Sequence, residues 1–200
     1  IPPKESITRI VGEGLRGPMS NFCIGAILHH QRQFDKYLID QSNKTWDQEP
    51  NPEKGMKVGI MGMGALGGDL AKKLNNLGFK VFGLSQSRKN IPHVMSYLSA
   101  ELDIFLSKIN ILVVMLPATE KTRGILSKKL FDKLNKGTYL INVARGQHQV
   151  DEDIIDAIEN EQLSGAFLDV FPEEPLSKQS PFWNHPKIMI TPHIAVVTKI

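Results

Sequence analysis

The stretch KVGIMGMGALGGDLAKKL, residues 57–74, constrains the fold more than any other part of this chain. It reads as a short apolar strand, a glycine-rich turn, and then the apolar spacing of a helix. Gly62, Gly64 and Gly67 stand in the order G-x-G-x-x-G at that junction. Each meets a separate demand: Gly62 a tight turn, Gly64 the approach of backbone to a pyrophosphate, Gly67 the close packing of helix on strand. With Met63 between the first two, and free N–H groups at Ala65 and Leu66, the helix N-terminus becomes a seat for an anion. The same glycines alone would describe any flexible turn. Their place between a strand and a helix points to a dinucleotide.

Downstream, short apolar runs alternate with helical patterns. Strands are expected at 57–61, 80–84, 111–116, 138–143, 166–170 and 187–190, and helices at 66–77, 98–108, 127–134 and 152–161. The last helix has Asp151 as its expected N-cap. This alternation predicts an α/β fold with a doubly wound parallel sheet of Rossmann type. Upstream, the apolar positions of residues 20–40 suit one long amphipathic helix. Residues 1–17 read as loop, and the polar segment QSNKTWDQEPNPEKG as a linker with Trp46 docked on a neighbour. The chain thus divides into 1–50, an arm with a long helix and linker, and 51–200, a dinucleotide-binding domain. The long helix carries more apolar surface than an arm needs, which suggests a homodimer contact. Docking on its own domain is the competing reading.

In an open parallel sheet, ligands bind outside the carboxyl ends of the strands. Arg145 follows the fourth expected strand in LINVARGQ, Glu174 the fifth in LDVFPEEPL, and His193 the sixth in ITPHIA. Three separate strands thus deliver a guanidinium, a carboxylate and an imidazole to one rim. Arg145 suits a substrate carboxylate because its planar fork pairs bidentately. An internal salt bridge would place it there equally well. Glu174 is preferred to Glu173 because Pro175 restricts the residue before it. The other histidines, His29, His30, His93, His148 and His185, read as packing or surface residues, and no cluster has metal-ligand spacing.

The second strand leads into SQSRKN. An NAD site would place Asp or Glu there to accept from the ribose 2′-OH. Ser85 stands at that position, with Ser87, Arg88 and Lys89 offering donors and positive charge to a 2′-phosphate. NADPH is therefore expected over NADH.

The segments GIMGMGALGG, LPATEKTRGIL, INVARGQ, LDVFPEEPL and ITPHIA occur in the order and spacing of the D-isomer-specific 2-hydroxyacid dehydrogenases. The chain resembles that family over nearly its whole length, closest to the glyoxylate/hydroxypyruvate reductase A branch. The resemblance implies that Arg145 orients a 2-oxo acid, that His193 is the general acid–base, and that Glu174 holds His193. It also implies Asp169 facing the nicotinamide carboxamide, with Leu116, Pro117, Thr122, Val143 and Ala144 along the cofactor. The expected reaction is hydride transfer from NADPH to a small 2-oxo acid. An NAD(H)-linked D-2-hydroxyacid dehydrogenase and a nucleotide-sensing, corepressor-like binding protein are the alternatives. Family members carry a separate substrate domain, and its residues are not among these 200, so this chain alone is expected to bind cofactor without turnover.

The net charge of +3 is dispersed, and no Lys or Arg stripe marks a nucleic-acid surface. The longest apolar run, residues 111–116, falls far short of the ~20 residues of a membrane span. A single cysteine, Cys23, allows no intrachain disulfide, so a reducing, cytoplasmic setting is expected.

Overall fold

The computed structural model describes residues 13–48 and 55–197. Two helices open it, α1 (Glu13–Gln31) and α2 (Phe34–Ser42), followed by β1 (Lys57–Met61), α3 (Ala65–Asn76), β2 (Lys80–Ser85) and β3 (Val94–Leu98). Then come α4 (Leu102–Leu106), β4 (Ile111–Val114), α5 (Lys128–Phe131), β5 (Thr138–Asn142), α6 (Asp151–Glu159), β6 (Leu163–Leu168) and β7 (Ile188–Ile190). The strands form one sheet in the order β3-β2-β1-β4-β5-β6-β7, and every neighbouring pair runs parallel. The chain starts at β1, winds outward to β3, then crosses back to β4 on the other side of β1. That reversal makes the crevice between the carboxyl ends of β1 and β4 the topological switch point.

The strands read as continuous apolar runs because both faces of the sheet are covered. Their residues alternate between two cores. Ile111 and Val113 of β4, with Tyr139 and Ile141 of β5, pack with Met19, Cys23 and Ile27 of α1 and Leu70 and Leu74 of α3. Leu112, Val114, Leu140 and Leu168 face the opposite way, toward Phe105, Leu106, Phe131, Ile154 and Ile158. Each fully buried Leu, Ile or Phe contributes roughly 1.5–3 kcal/mol, so these two layers hold the strand ends in register. Burial pushes the Cys23 thiol up to about 12, with Asp169 adding to the shift, so this cysteine is a core residue and no nucleophile.

The structure departs from the sequence reading in several places. The single helix expected over 20–40 is two helices, because Gln33 adopts a left-handed conformation with φ 53° and turns the chain. The first of them includes residues 13–17, read as loop; the expectation for residues 1–12 lies outside the described residues, as does that for 49–54. α1 is a covering layer of the sheet, so the division at residue 50 separates stretches of chain that share one core. α2 buries none of its side chains and leaves Phe34, Leu38 and Ile39 exposed. Trp46, expected to dock, is 89% exposed. β3 was not expected at all: VMSYL is an edge strand without fully buried residues, so its apolar pattern is weak. Asp151 lies inside α6 after the cap residue Val150, where it accepts from Gln149 Nε2 at 3.1 Å.

Candidate active site

The glycine turn closes by backbone contact. Gly62 has φ 110°, and a Cβ there would lie 2.4 Å from the Met115 carbonyl oxygen; one at Gly67 would lie 2.1 Å from the Gly62 oxygen. Neither position admits a side chain without moving the main chain. α3 begins at Gly64 with no side-chain cap and no acidic residue in its first turn. Its first N–H groups therefore lack intrahelical partners and have no competing carboxylate beside them. A cleft of about 930 Å³ opens here at the switch point, within the range of cofactor sites. Gly62, Met63, Gly64, Ser85, Ser87, Lys89, Leu116, Pro117 and Thr122 all line it. These residues fit a dinucleotide in length, shape and donor chemistry.

Some expected cofactor residues sit elsewhere, and others in the cleft wall are turned toward neighbours. Arg88 is committed: Nη1 donates to the Ser96 carbonyl at 2.6 Å and Nη2 to both oxygens of Glu101 at 2.9 and 3.0 Å. It does not line the cleft, which Lys89 does. Ser85 Oγ donates to the Ser87 carbonyl at 2.7 Å. Val143 and Ala144 are core residues on opposite faces of the sheet and are absent from the cleft wall. Met63 turns its thioether against Gly83. Conversely, Ser99 and Lys121 line the cleft without having been singled out. Lys121 lies within the segment LPATEKTRGIL, where a second cation near the cofactor could have been read. Ser99 follows the unrecognised β3 and could not.

A wired turn carries Arg145, which lines a separate pocket that shares Thr119 and Glu120 with the wall of the cleft. Asn142 Oδ1 accepts from Ala144 N at 3.1 Å while its amide donates to Gln149 Oε1 at 2.8 Å. Gly146 presses against the next loop so closely that a Cβ would lie 1.8 Å from the Phe171 carbonyl carbon. The Phe171 N–H in turn donates to Glu174 Oε1 at 3.0 Å, and Glu174 Oε2 lies 2.8 Å from His193 Nδ1. Backbone contact between neighbouring loops thus assembles the three side chains. The Glu174–Pro175 peptide is cis.

Desolvation works to raise the Glu174 pKa, but His193, the Phe171 N–H and Arg145 together hold it below the usual carboxylate range. The Arg145 charge thus acts on Glu174 from the adjoining loop. Its Nη1 donates to the Ala144 carbonyl at 2.6 Å, and among the described residues no carboxylate lies within salt-bridge distance of it. The internal ion pair weighed as its alternative role is not made. His193 and Glu174 remain 44% and 37% exposed, so the pair is open to a reactant.

Asp169 is fully buried. Its oxygens accept from Thr191 Oγ1 at 2.6 Å, Ile194 N at 2.9 Å and Ala195 N at 3.0 Å. Here its carboxylate engages the loop that carries His193, and it does not line the open cleft. His148 is likewise buried, its Nε2 3.3 Å from the Pro117 carbonyl and its Nδ1 without a partner among the described residues. Burial lowers its pKa, so it is a neutral packing residue. No helix among the described residues is long and apolar enough to cross a membrane.

Fold and cleft together define a Rossmann-type dinucleotide-binding domain. The family model for "D-isomer specific 2-hydroxyacid dehydrogenase, NAD binding domain" matches residues 24–195, and the chain belongs to that family. Glyoxylate/hydroxypyruvate reductase A of Serratia proteamaculans is 40% identical over 200 residues, covering 99% of this chain and 64% of that protein. The crystal structure of an NADPH-dependent glyoxylate/hydroxypyruvate reductase from Sinorhizobium meliloti, in complex with NADP and sulfate, is 42% identical with a TM-score of 0.92. It covers 94% of this chain and 62% of that one. A probable 2-hydroxyacid dehydrogenase from Rhizobium etli, solved with NADP, HEPES and L(+)-tartaric acid, is 38% identical with a TM-score of 0.92, over 96% and 62% of the two chains. The chain therefore spans under two thirds of the length of these relatives.

Proposed function

We propose that this chain is the cofactor-binding part of an NADPH-dependent reductase of small 2-oxo acids of the glyoxylate and hydroxypyruvate type. The observation that carries the reading is the His193–Glu174 pair, 2.8 Å apart, with Arg145 acting on it from the adjoining loop. When bound, reduced nicotinamide supplies a hydride to the carbonyl carbon. The chain's residues then have a proton to deliver and an acid to orient. His193 holds its Nδ1–H toward Glu174, which leaves Nε2 as the atom that gives a proton to the carbonyl oxygen, and takes one in the reverse direction. Glu174 fixes the orientation of the ring. Arg145, without an acid partner among the described residues, is available to the substrate carboxylate.

The preference for NADPH rests on a β2 tip that ends in Ser85 without a carboxylate, and on Lys89 in the cleft wall. The two complexes with NADP described above support it. Residues 51–200 carry the dinucleotide site, while residues 1–50 contribute a covering helix and α2. The rest of the substrate pocket belongs, in this reading, to the part of the relatives' length that this chain does not span. The setting is cytoplasmic, and α2 is the homodimer surface, where Leu38→Asp should convert a dimer to a monomer in sedimentation.

The deciding experiment is NADPH oxidation by the full-length protein against a panel of 2-oxo acids. Turnover of glyoxylate or hydroxypyruvate supports the reading. NADPH binding without reduction of any 2-oxo acid would leave a nucleotide-sensing protein, and a preference for NADH would leave an NAD-linked dehydrogenase.

A further inference from the structure

We propose that Thr191 and Asp169 form a latch that positions His193, a role resting on the reductase reading above. Asp169 directly follows β6, and its own N–H donates to the Asn142 carbonyl at 3.0 Å, tying it to the end of β5. The three donors it receives bracket the imidazole in sequence. Thr191 Oγ1 comes from two residues before His193, and the N–H groups of Ile194 and Ala195 from the two residues after it. Thr191 N also donates to the Leu168 carbonyl at 3.0 Å, so the loop leaves the sheet from a fixed point.

What the latch holds is a strained residue. His193 has φ 54°, in the left-handed region. A non-glycine residue stays there only where its surroundings over-determine the backbone. Asp169 supplies that restraint from a fully buried position, on both sides of the strained residue. In that conformation His193 Nδ1 lies 2.8 Å from Glu174 Oε2. Thr191 is therefore a positioning residue: it touches no reactant and acts through the loop. Its hydroxyl is the single side-chain donor of the set, so it can be removed while the two backbone donors remain.

This role differs in outcome from direct contact between Asp169 and a nicotinamide. Loss of a cofactor contact weakens NADPH binding. Loss of the latch releases His193 from Glu174 and leaves the phosphate cradle at Gly62–Gly67 untouched.

The test uses full-length protein carrying Thr191→Val or Thr191→Ser. Thr191→Val should lower kcat at least ten-fold and leave the NADPH Kd within two-fold of wild type. Thr191→Ser, which keeps the hydroxyl, should restore kcat to within three-fold. A wild-type kcat in Thr191→Val would overturn the proposal. So would an NADPH affinity that falls in step with kcat, or a Thr191→Ser protein as impaired as Thr191→Val. Should Thr191→Val not fold, the structure of NADPH-bound Thr191→Ala carries the test: a His193–Glu174 contact unchanged from wild type defeats the latch. Wild-type protein that binds NADPH but reduces no 2-oxo acid defeats the functional reading instead, and the same structure then judges the latch alone.

Discussion

Glu174 is gripped at both of its oxygens: Oε1 accepts from the Phe171 N–H at 3.0 Å, and Oε2 lies 2.8 Å from His193 Nδ1. A carboxylate so held cannot rotate away from the ring without giving up a backbone hydrogen bond. Glutamine has the same shape but carries no charge and grips the ring less firmly. In full-length Glu174→Gln, reduction of the 2-oxo acid at neutral pH should fall about 10²-fold, the scale of general acid–base catalysis. Steady-state rates at neutral pH check this, and an unchanged rate would remove Glu174 from the proposed mechanism.

The same pair has a consequence for stability. Because the Glu174 pKa is lowered on folding, its contribution is present above the ordinary value of 4.5 and is lost as pH falls through the lower folded-state value. A histidine in α1 acts at milder acidity. His30 stacks on Tyr139 with ring centroids 3.8 Å apart. Burial, and then the neighbouring His29, lowers its pKa from 6.5 to about 4. The unfolded chain therefore binds this proton at a pH where the folded chain does not, so stability falls as pH drops from 6.5 toward about 4. His30→Asn should flatten that slope by on the order of 1–3 kcal/mol across the window, measured by urea unfolding at pH 7, 5.5 and 4.5. An equal slope in both proteins would show that His30 does not titrate differently on folding.

Gly146 offers a sharper structural test. A methyl group there would collide with the Phe171 main chain. Gly146→Ala should cost about 3 kcal/mol or more and abolish turnover by separating Arg145 from Glu174. Gly25, inside α1, has no heavy atom within 4 Å of the place a Cβ would take. Gly25→Ala should gain up to about 1 kcal/mol through helix propensity. Paired denaturation curves decide, and equal midpoints would contradict the close approach.

Cofactor choice can be tested at the tip of β2. Ser85→Asp places a negative charge in the cleft wall, which repels a 2′-phosphate and accepts from a 2′-OH. The ratio of NADPH to NADH affinity should drop at least ten-fold in a fluorescence titration. Lys89→Ala should weaken NADPH more than Arg88→Ala does, because Arg88 is already paired with Glu101. The reverse order would mean that Arg88 leaves Glu101 when cofactor binds.

Much of this architecture is legible in the sequence because the sheet is covered on both faces. Strands such as ILVV and TYLIN are buried throughout, so they stand out as apolar runs. VMSYL is invisible to the same reading because an edge strand needs no such run. The break at Gln33 is hidden for a different reason: apolar residues continue at helical spacing into α2, although that helix buries none of them. At the site, Arg145, Glu174 and His193 are readable because each follows a strand end. The commitment of Arg88 to Glu101 is not, since its partner lies 13 residues away across β3. Nor is the engagement of Asp169 by Thr191, which requires knowing that β6 and β7 are neighbours.

The approach of Gly146 to Phe171 puts main chain against main chain, with no side chain as a spacer. Distances set that way are insensitive to the identity of surrounding residues. Exposed neighbours such as Gln147 and Glu173 are thereby released to vary, and selection or engineering can reshape what the rim recognises without disturbing the separation on which proton delivery depends.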